Sequence, residues 1–555
     1  MKDRNPLAYA LRRLRGIFRP SVQILPPPQG VCFDRDIEVA VRDGTRLRVN
    51  VFRPQAEGRY PVLLCAHPYR KDDLPKSHGR GFRTPFQYRL LRQTSDFQHS
   101  AWTSWEAPDP AFWVPRGYVV VNCDLRGFGR SDGVGELISD AEARDYYDLI
   151  EWAAAQPWST GKVGLNGVSY LALSQWKVAA LQPPHLAAIC PWEGFTDAYR
   201  DFAYPGGIRE DGFIRVWSKG VKSAGRPSFD FRAEQCARPQ DDEFWEARRP
   251  ALSQIQVPAL ICGSFSDHNL HSRGSFNGFM RIGSTQRWLY THRTGKWAAY
   301  YSQDGLAFQT RFFDHFLKGE DTGITALPPV RLEVRSRGDS VHQVRQEAGW
   351  PLPQTEWTAL HLHPDQTLRT DPPAASGEVS FRTRGGRASF TWDILQDTEL
   401  SGPMVLHLSV EARGLQDLFL FCGVRKLRQG KEVFFEGSYG FGCDMVTKGW
   451  LRVAHRALDS AQSQPWQPVH SHRQAQPLAA GEIVPVAIEL LPSATFFEKG
   501  TTLRLDIAGE WFYPQNPLLG QFPVGYQRGQ AGIAVLHLGD SHRAHLLVPR
   551  IPPAR

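Results

Sequence analysis

Residues 164–176 read GLNGVSYLALSQW, and the placement of Ser169 within them decides how the first half of the chain is read. The preceding VGLNGV (163–168) has the composition of a buried strand, and YLALSQWKVAAL (170–181) continues as a helix. A serine at such a junction is either the nucleophile of a sharp strand-to-helix turn or an ordinary helix N-cap. The pattern G-x-S-x-G is incomplete, because Leu171 stands where the second glycine belongs. Gly167 supplies one small neighbour, and Ala172, three residues after the serine, supplies a second compact contact. Such a turn exposes the hydroxyl and leaves the Tyr170 N–H at a helix start, placed to stabilise an oxyanion.

Working outward, four further runs have apolar cores: PVLLCAHPY (61–69), YVVVNCDLRG (118–127), PALICGSFSD (258–267) and RWLYTHRT (287–294). Strands without polar alternation are expected where helices cover both faces of a parallel sheet. DIEVAVR (36–42) and RLRVNVF (46–52), split by DGT, predict a hairpin ahead of them. Helices are expected over 140–155 and 305–317. The stretch 192–257 breaks this rhythm. It is aromatic and helix-prone, and an insertion between two strands would sit over the strand ends as a cap. From about Pro351 short strands recur between turn signals, including GPMVLHLSVEA, VPVAIELLP and TTLRLDIAG, in the pattern of a β-sandwich or jelly roll. Spans 370–377 and 459–479 are rich in Gly, Pro, Ser and Gln and are expected as exposed loops. The chain therefore divides into an N-terminal extension (1–30), an α/β domain in two parts (31–191 and 258–350), the cap (192–257) and a C-terminal β-domain (351–555).

The length of 555 residues suits about three domains. The 65 basic and 57 acidic residues are well mixed, so the net charge of +8 gives nucleic-acid binding little support. The eight cysteines form no C-x-x-C pair and several lie in strand-like runs, which argues against a disulfide framework and a zinc knuckle; no metal is expected. The N-terminus MKDRNPLAYALRRLRGIFRP lacks a long apolar leader core. Its Leu7, Leu11, Leu14 and Phe18 fall at helical spacing with Arg12, Arg13 and Arg15 between them. A short helix packed on the protein is favoured over a membrane-surface helix, with no stable membrane insertion and a cytoplasmic location as the default expectation.

A nucleophilic serine needs a base and an orienting carboxylate, which α/β hydrolases supply in the order Ser, acid, His. Asp267, closing PALICGSFSD, lies just beyond a later buried strand. Asp124 and Asp132 precede the serine and are better explained as turn- or loop-fixing residues. The histidine should follow the next strand, where WLYTHRT offers His292. His268 and His271 sit almost on top of Asp267 and would crowd the same loop. In this scheme His292 takes the Ser169 proton during attack on an acyl carbonyl, while Asp267 fixes the imidazole. Tyr69, at the end of PVLLCAHPY, is a candidate second oxyanion donor through its phenol; packing beside Pro68 explains it equally well.

Several segments together resemble the X-Pro dipeptidyl-peptidase/cocaine esterase (CocE/NonD) family of serine hydrolases. They are HPYRKD (67–72), DLRGFGRSDG (124–133), GVSYLA with QW (167–176), DHNLHSRGSF (267–276) and FFDHFLKG (312–319), with KGWLRVAHRALD and FEKGTTLRLDIAG in the last domain. The resemblance implies an α/β-hydrolase fold with an inserted helical cap and a C-terminal jelly-roll-like β-domain. By motif position it implies Ser169 as nucleophile, Asp267 as acid, and Tyr69 and Tyr170 as side-chain and backbone oxyanion donors. One motif departs: the family's G-P-W-x-H is replaced by LYTHRTGKWAAYY, whose single histidine is His292. The implied reaction is hydrolysis of an ester or amide, or of a peptide after proline, without metal or organic cofactor. Cleavage after a penultimate proline needs acid groups for a free α-amine, and the cap holds Glu193, Asp197, Asp201, Glu210 and Asp211. Its aromatics Trp192, Phe195, Tyr199, Phe202 and Trp217 more readily suggest an apolar acyl or aryl pocket, so a carboxylester hydrolase is favoured over a dipeptidyl-peptidase. A catalytically inactive relative acting as a binding protein is the alternative of another class. The expected partner is a small ester or amide or a short peptide; a homodimer through the β-domain is compatible with the residues but not demanded by them.

Overall fold

The computed structural model describes residues 6–91, 95–338, 340–439, 443–539 and 542–553. At its centre are β1 (Val31–Ala40), β2 (Arg46–Pro54), β3 (Tyr60–His67), β4 (Val119–Asp124), β5 (Ser159–Val168), β6 (Leu186–Trp192), β7 (Ala259–Ser264) and β8 (Arg287–His292). β1 and β2 form the expected hairpin, and β2 runs antiparallel to β4. From β4 onward every pairing is parallel, in the spatial order β4-β3-β5-β6-β7-β8. Val62 through Leu64 and Val119 through Val121 are fully buried at successive positions. Both faces of the sheet are therefore covered, which is why these strands show no polar alternation. β9 (Val330–Arg337) continues the sheet parallel to β8, and Ser340–Glu347 pairs with it in antiparallel sense.

Helices α2 (Asp140–Ala154) and α3 (Tyr170–Ala180) flank β5. The Ser139 hydroxyl caps α2 by accepting from the Glu142 N–H at 3.1 Å. Between β6 and β7 the chain leaves the sheet through Ala198–Ala203, α4 (Phe213–Ala224) and the short helices Phe231–Ala237 and Glu243–Glu246. α5 (Ser272–Arg281) then follows β7.

The C-terminal part is built mainly of antiparallel strand pairs. Thr398–Arg413 pairs with Ile483–Phe497 on one edge and with Ile533–Leu538 and His545–Ile551 on the other. Phe419–Arg428 lies between Thr447–Arg452 and Thr501–Ala508. Leu406, Leu420, Ile488, Leu505 and Leu536 are fully buried between these strands, forming a core separate from that of the α/β part. Arg335, fully buried on β9, joins the two parts. It donates to the Phe265 carbonyl at 3.1 Å and the Ser266 hydroxyl at 2.7 Å on one side, and to the Ser493 hydroxyl at 3.0 Å on the other.

One expectation fails in detail. The span 459–479 is not simply exposed: Gln467, His470, His472 and Leu478 are buried. The Arg200 guanidinium donates to the His470 carbonyl at 2.7 Å and the Asp241 N–H to the His472 carbonyl at 3.1 Å, so irregular backbone is satisfied against the cap. The N-terminal helix, α1 (Pro6–Phe18), packs on the protein as expected, but not through its leucine stripe. Arg13 and Gly16 are buried, and Arg13 Nε donates to the Pro517 carbonyl at 3.1 Å. Leu7, Leu11, Leu14 and Phe18 face outward. The Arg12 side chain and residues 1–5 lie outside the described residues.

Candidate active site

Ser169 occupies the turn between β5 and α3 with φ 61° and ψ −113°, a left-handed region that a β-substituted residue adopts only where its surroundings impose it. The surroundings do impose it. The Val168 N–H donates to the Glu106 carbonyl at 3.1 Å, and the Ser169 N–H to the Trp192 carbonyl at 3.1 Å. A Cβ on Gly167 would come within 2.5 Å of the Leu171 Cβ, so Gly167 makes the room that lets a bulky leucine replace the usual second glycine. Ala172 is tight in turn against Gly194, where a Cβ would lie 2.9 Å from its own.

The Ser169 hydroxyl lies 3.1 Å from His271 Nε2. On the far side of the ring, His271 Nδ1 lies 2.9 Å from Asp267 Oδ2. Asp267 is itself held by the His268 N–H at 2.8 Å on Oδ1 and the His271 N–H at 2.7 Å on Oδ2. Burial alone would raise the Asp267 carboxyl; the positive ends of His271 and His268 overrule it and hold the group well below the carboxylate range. Burial, joined by the nearby Lys296 charge, lowers the His271 pKa, with Asp267 opposing, so the ring favours its neutral form. His271 sits at the start of α5, four residues after Asp267, and the turn between them folds the imidazole back onto the carboxylate.

His292 is elsewhere. It closes β8, and its Nε2 lies 2.8 Å from Glu193 Oε1, the first residue after β6. Glu193 also accepts from the Ser438 hydroxyl at 2.8 Å. The sequence-based choice of His292 over His271 is thus corrected. His292 stands at the expected strand end, but its ring is spent on Glu193 and stacked beside Trp192. Proximity to Asp267, which counted against His271, is what lets it span acid and serine.

The Tyr170 N–H starts α3 and has no partner within the helix. The Tyr69 ring meets the Tyr170 ring edge-on at 6.1 Å, and its hydroxyl accepts from Trp217 Nε1 at 3.0 Å. Burial, reinforced by Glu106, pushes the Tyr69 phenol well above its ordinary range, so it keeps a proton to donate. Glu106 forms a buried pair with Lys296 at 3.3 Å and accepts from Trp297 Nε1 at 3.2 Å. Burial pushes its carboxyl up to about 7 against the pull of Lys296.

Of the five aromatics expected to line a pocket, Trp217 alone bonds to Tyr69, and it stacks on Tyr170 at 6.3 Å. Phe202 packs edge-on behind it at 5.3 Å. Phe195 stacks on Phe202, Tyr199 packs on Tyr204 and Trp245, and Trp192 is fully buried against Tyr290 and Tyr300; these three are packing residues. A cleft of about 550 Å³ that has Tyr69, but not Ser169 or His271, on its wall is formed by Ile17, Phe18, Phe86, Tyr88 and Trp105 among others. None of those residues lies on a strand end, and no sequence signal pointed to them. Asp124 accepts from the Lys71 N–H at 2.6 Å and the Arg130 N–H at 3.0 Å, the loop-fixing role expected of it. Among the described residues Glu193, Asp267 and His271 bring possible metal-ligand atoms within 4.8 Å of one another, but the hydrogen bonds above already engage them.

A serine at a strained β5–α3 elbow, with a histidine and a carboxylate in line behind it on this strand order, defines an α/β-hydrolase of the serine type. Residues 43–298 match the family described as X-Pro dipeptidyl-peptidase (S15 family), and residues 322–546 match the X-Pro dipeptidyl-peptidase C-terminal non-catalytic domain. A CocE/NonD family hydrolase from Staphylococcus aureus superposes with a TM-score of 0.88 at 38% identity, over 94% of each chain. The cocaine esterase of Rhodococcus sp. (strain MB1 Bresler) is 25% identical over 93% of this chain and 98% of its own. A putative Xaa-Pro dipeptidyl-peptidase of Rhodopirellula baltica is 22% identical over 76% of this chain and 73% of its own. The chain belongs to the X-Pro dipeptidyl-peptidase/CocE/NonD family of serine hydrolases.

Proposed function

We propose that this hydrolase cleaves carboxylic esters through an acyl-enzyme on Ser169, with His271 as base and Asp267 as its orienting acid. The observation that carries the assignment is the continuous line of contacts from the Ser169 hydroxyl through His271 at 3.1 Å to Asp267 at 2.9 Å. As Ser169 Oγ attacks the acyl carbon, its proton passes to His271 Nε2, and the Asp267 carboxylate stabilises the imidazolium at Nδ1. The carbonyl oxygen, now an oxyanion, accepts from the Tyr170 N–H and the Tyr69 hydroxyl. The C–O bond to the leaving group breaks, and the alkoxide takes the proton from Nε2. Water then gives a proton to Nε2 and adds to the acyl carbon; the acyl C–Oγ bond breaks, Ser169 Oγ takes the proton back from Nε2, and the carboxylic acid leaves.

The state of the cap acids supports ester over X-Pro peptide, since a free α-ammonium needs an available carboxylate. Glu193 is taken by His292 and Ser438, and Asp197 by Arg200 and Arg249, both at 2.7 Å. Asp201 accepts from the Thr196 and Asp197 N–H groups, Glu210 from those of Gly212, Phe213 and Ile214, and Asp211 pairs with Arg209 and Arg232. A panel of p-nitrophenyl esters beside an X-Pro p-nitroanilide tests this: the ester is expected to give the higher kcat/KM, and the reverse ranking would assign the peptide reaction.

The lowered His271 pKa sets the pH profile. Because burial favours the neutral ring, the base stays competent below the ordinary histidine value of about 6.5. On an acid-stable ester, kcat/KM is expected to be flat from neutral pH down to about 6.5 and to fall only below it. An acid limb centred above neutrality would contradict the burial argument. None of the helices among the described residues is long and apolar enough to cross a membrane. A cytoplasmic setting is supported by eight cysteines, none in a disulfide.

A further inference from the structure

α1 carries its apolar residues on the outside. Leu7, Leu11, Leu14 and Phe18 are 73%, 66%, 41% and 71% exposed, and their spacing of four, three and four residues puts them on one stripe. A helix serving only to cover its own domain would turn that stripe inward; here the buried positions are Arg13 and Gly16, with Ala10 and Ile17 half-buried beside them. The stripe does not stop at the helix end. Phe18 lines the cleft that holds Tyr69, and Phe86, 69% exposed, lines the same cleft. Exposed apolar surface of this kind, continuous with the mouth of a cleft, marks an interaction face.

The charges around it have one dominant sign. Arg15 and Arg19 flank the stripe, and Lys76 and Arg83 stand on the cleft rim at the two ends of the hairpin formed by Ser77–His78 and Gly81–Phe82. All four are exposed, and no carboxylate pairs with them among the described residues. Asp73 is the acid on that rim. We propose that α1 and this rim form a docking surface for an anionic lipid bilayer, with the leucines and Phe18 sunk into the headgroup–acyl boundary and the arginines and lysine on the lipid phosphates. An amphipathic helix with cations beside its apolar face binds in this way, by apolar burial added to attraction for anionic headgroups. A second copy of the chain fits less well, because a two-fold contact would set these cations against their own equivalents. Docking would turn the mouth of the cleft toward the lipid. The inference concerns binding and does not depend on which substrate Ser169 acts on.

The test is sedimentation of the full-length protein with vesicles of phosphatidylcholine alone and of phosphatidylcholine mixed equally with phosphatidylglycerol. The wild type is expected to partition onto the phosphatidylglycerol vesicles, less so at high salt, and only weakly onto phosphatidylcholine. The double variant Leu11→Glu/Leu14→Glu is expected to lose about tenfold or more of that partitioning, while its turnover of a short soluble ester stays at the wild-type rate, showing that the fold is intact. Three results would overturn the proposal. The wild type could remain in the supernatant; wild type and variant could partition equally; or light scattering could find a wild-type dimer that the variant splits into monomers, which would give the face to a second copy.

Discussion

His271→Gln is expected to lower turnover of an activated aryl ester by about 10⁴-fold or more, while His292→Gln leaves it within about tenfold of wild type. The first substitution keeps a hydrogen-bond donor toward Asp267 and removes the group that accepts the Ser169 proton. Asp267 is fully buried and its acceptors are filled by the His271 ring and two backbone N–H groups, so glutamine preserves the fold better than alanine would. The second substitution replaces one donor to Glu193 by another. His292→Ala should act mainly on stability, because it strips a partner from a fully buried carboxylate, at a cost of about 2 kcal/mol. Turnover assays with thermal melting separate the two effects. Fluorophosphonate labelling adds an independent reading: Ser169→Ala should take no label, and His271→Gln should label far more slowly than wild type. If His292→Gln is the dead variant and His271→Gln the active one, the base assignment is reversed.

Tyr69→Phe is expected to lower kcat by about a hundredfold with little change in KM. The phenol oxygen already accepts from Trp217 Nε1 at 3.0 Å, so its own proton is not needed for that bond. Burial and the Glu106 carboxylate both disfavour the phenolate, so the donor is present throughout the working pH range. A donor aimed at the oxyanion acts on the tetrahedral intermediate rather than on the bound ester, which is why the loss should appear in kcat. Trp217→Phe should show a smaller loss in the same parameter, since it frees the phenol to rotate without removing the proton. An unchanged kcat for Tyr69→Phe would leave the Tyr170 N–H as the donor of record and return Tyr69 to packing.

Patterns confined to one segment were legible in the chain. Unbroken apolar runs announced β3, β4, β5 and β7, because burial on both faces removes the polar half of a strand. The Ser169 elbow could be recognised despite Leu171, since Gly167 and Ala172 are small where the turn needs them. Asp267 followed from its position after β7. What the chain did not disclose were contacts between segments distant in sequence. The exposed face of α1, the cleft walls from Phe18 and Phe86, and the buried histidines of 459–479 all depend on which surface lies opposite.

The histidine is the sharpest instance. Order along the chain pointed to His292 at the end of β8, and a histidine does stand there, bonded to Glu193. Sequence by itself determined the fold class and pointed to Ser169 and Asp267, the proposed nucleophile and acid, because each is carried by local periodicity and by strand order. Tertiary structure alone brought His271, the proposed base, between them. A proton relay is set by distances of about 3 Å between side chains, and such distances depend on how the turn after Asp267 folds His271 back beneath Ser169, not on the number of residues between them.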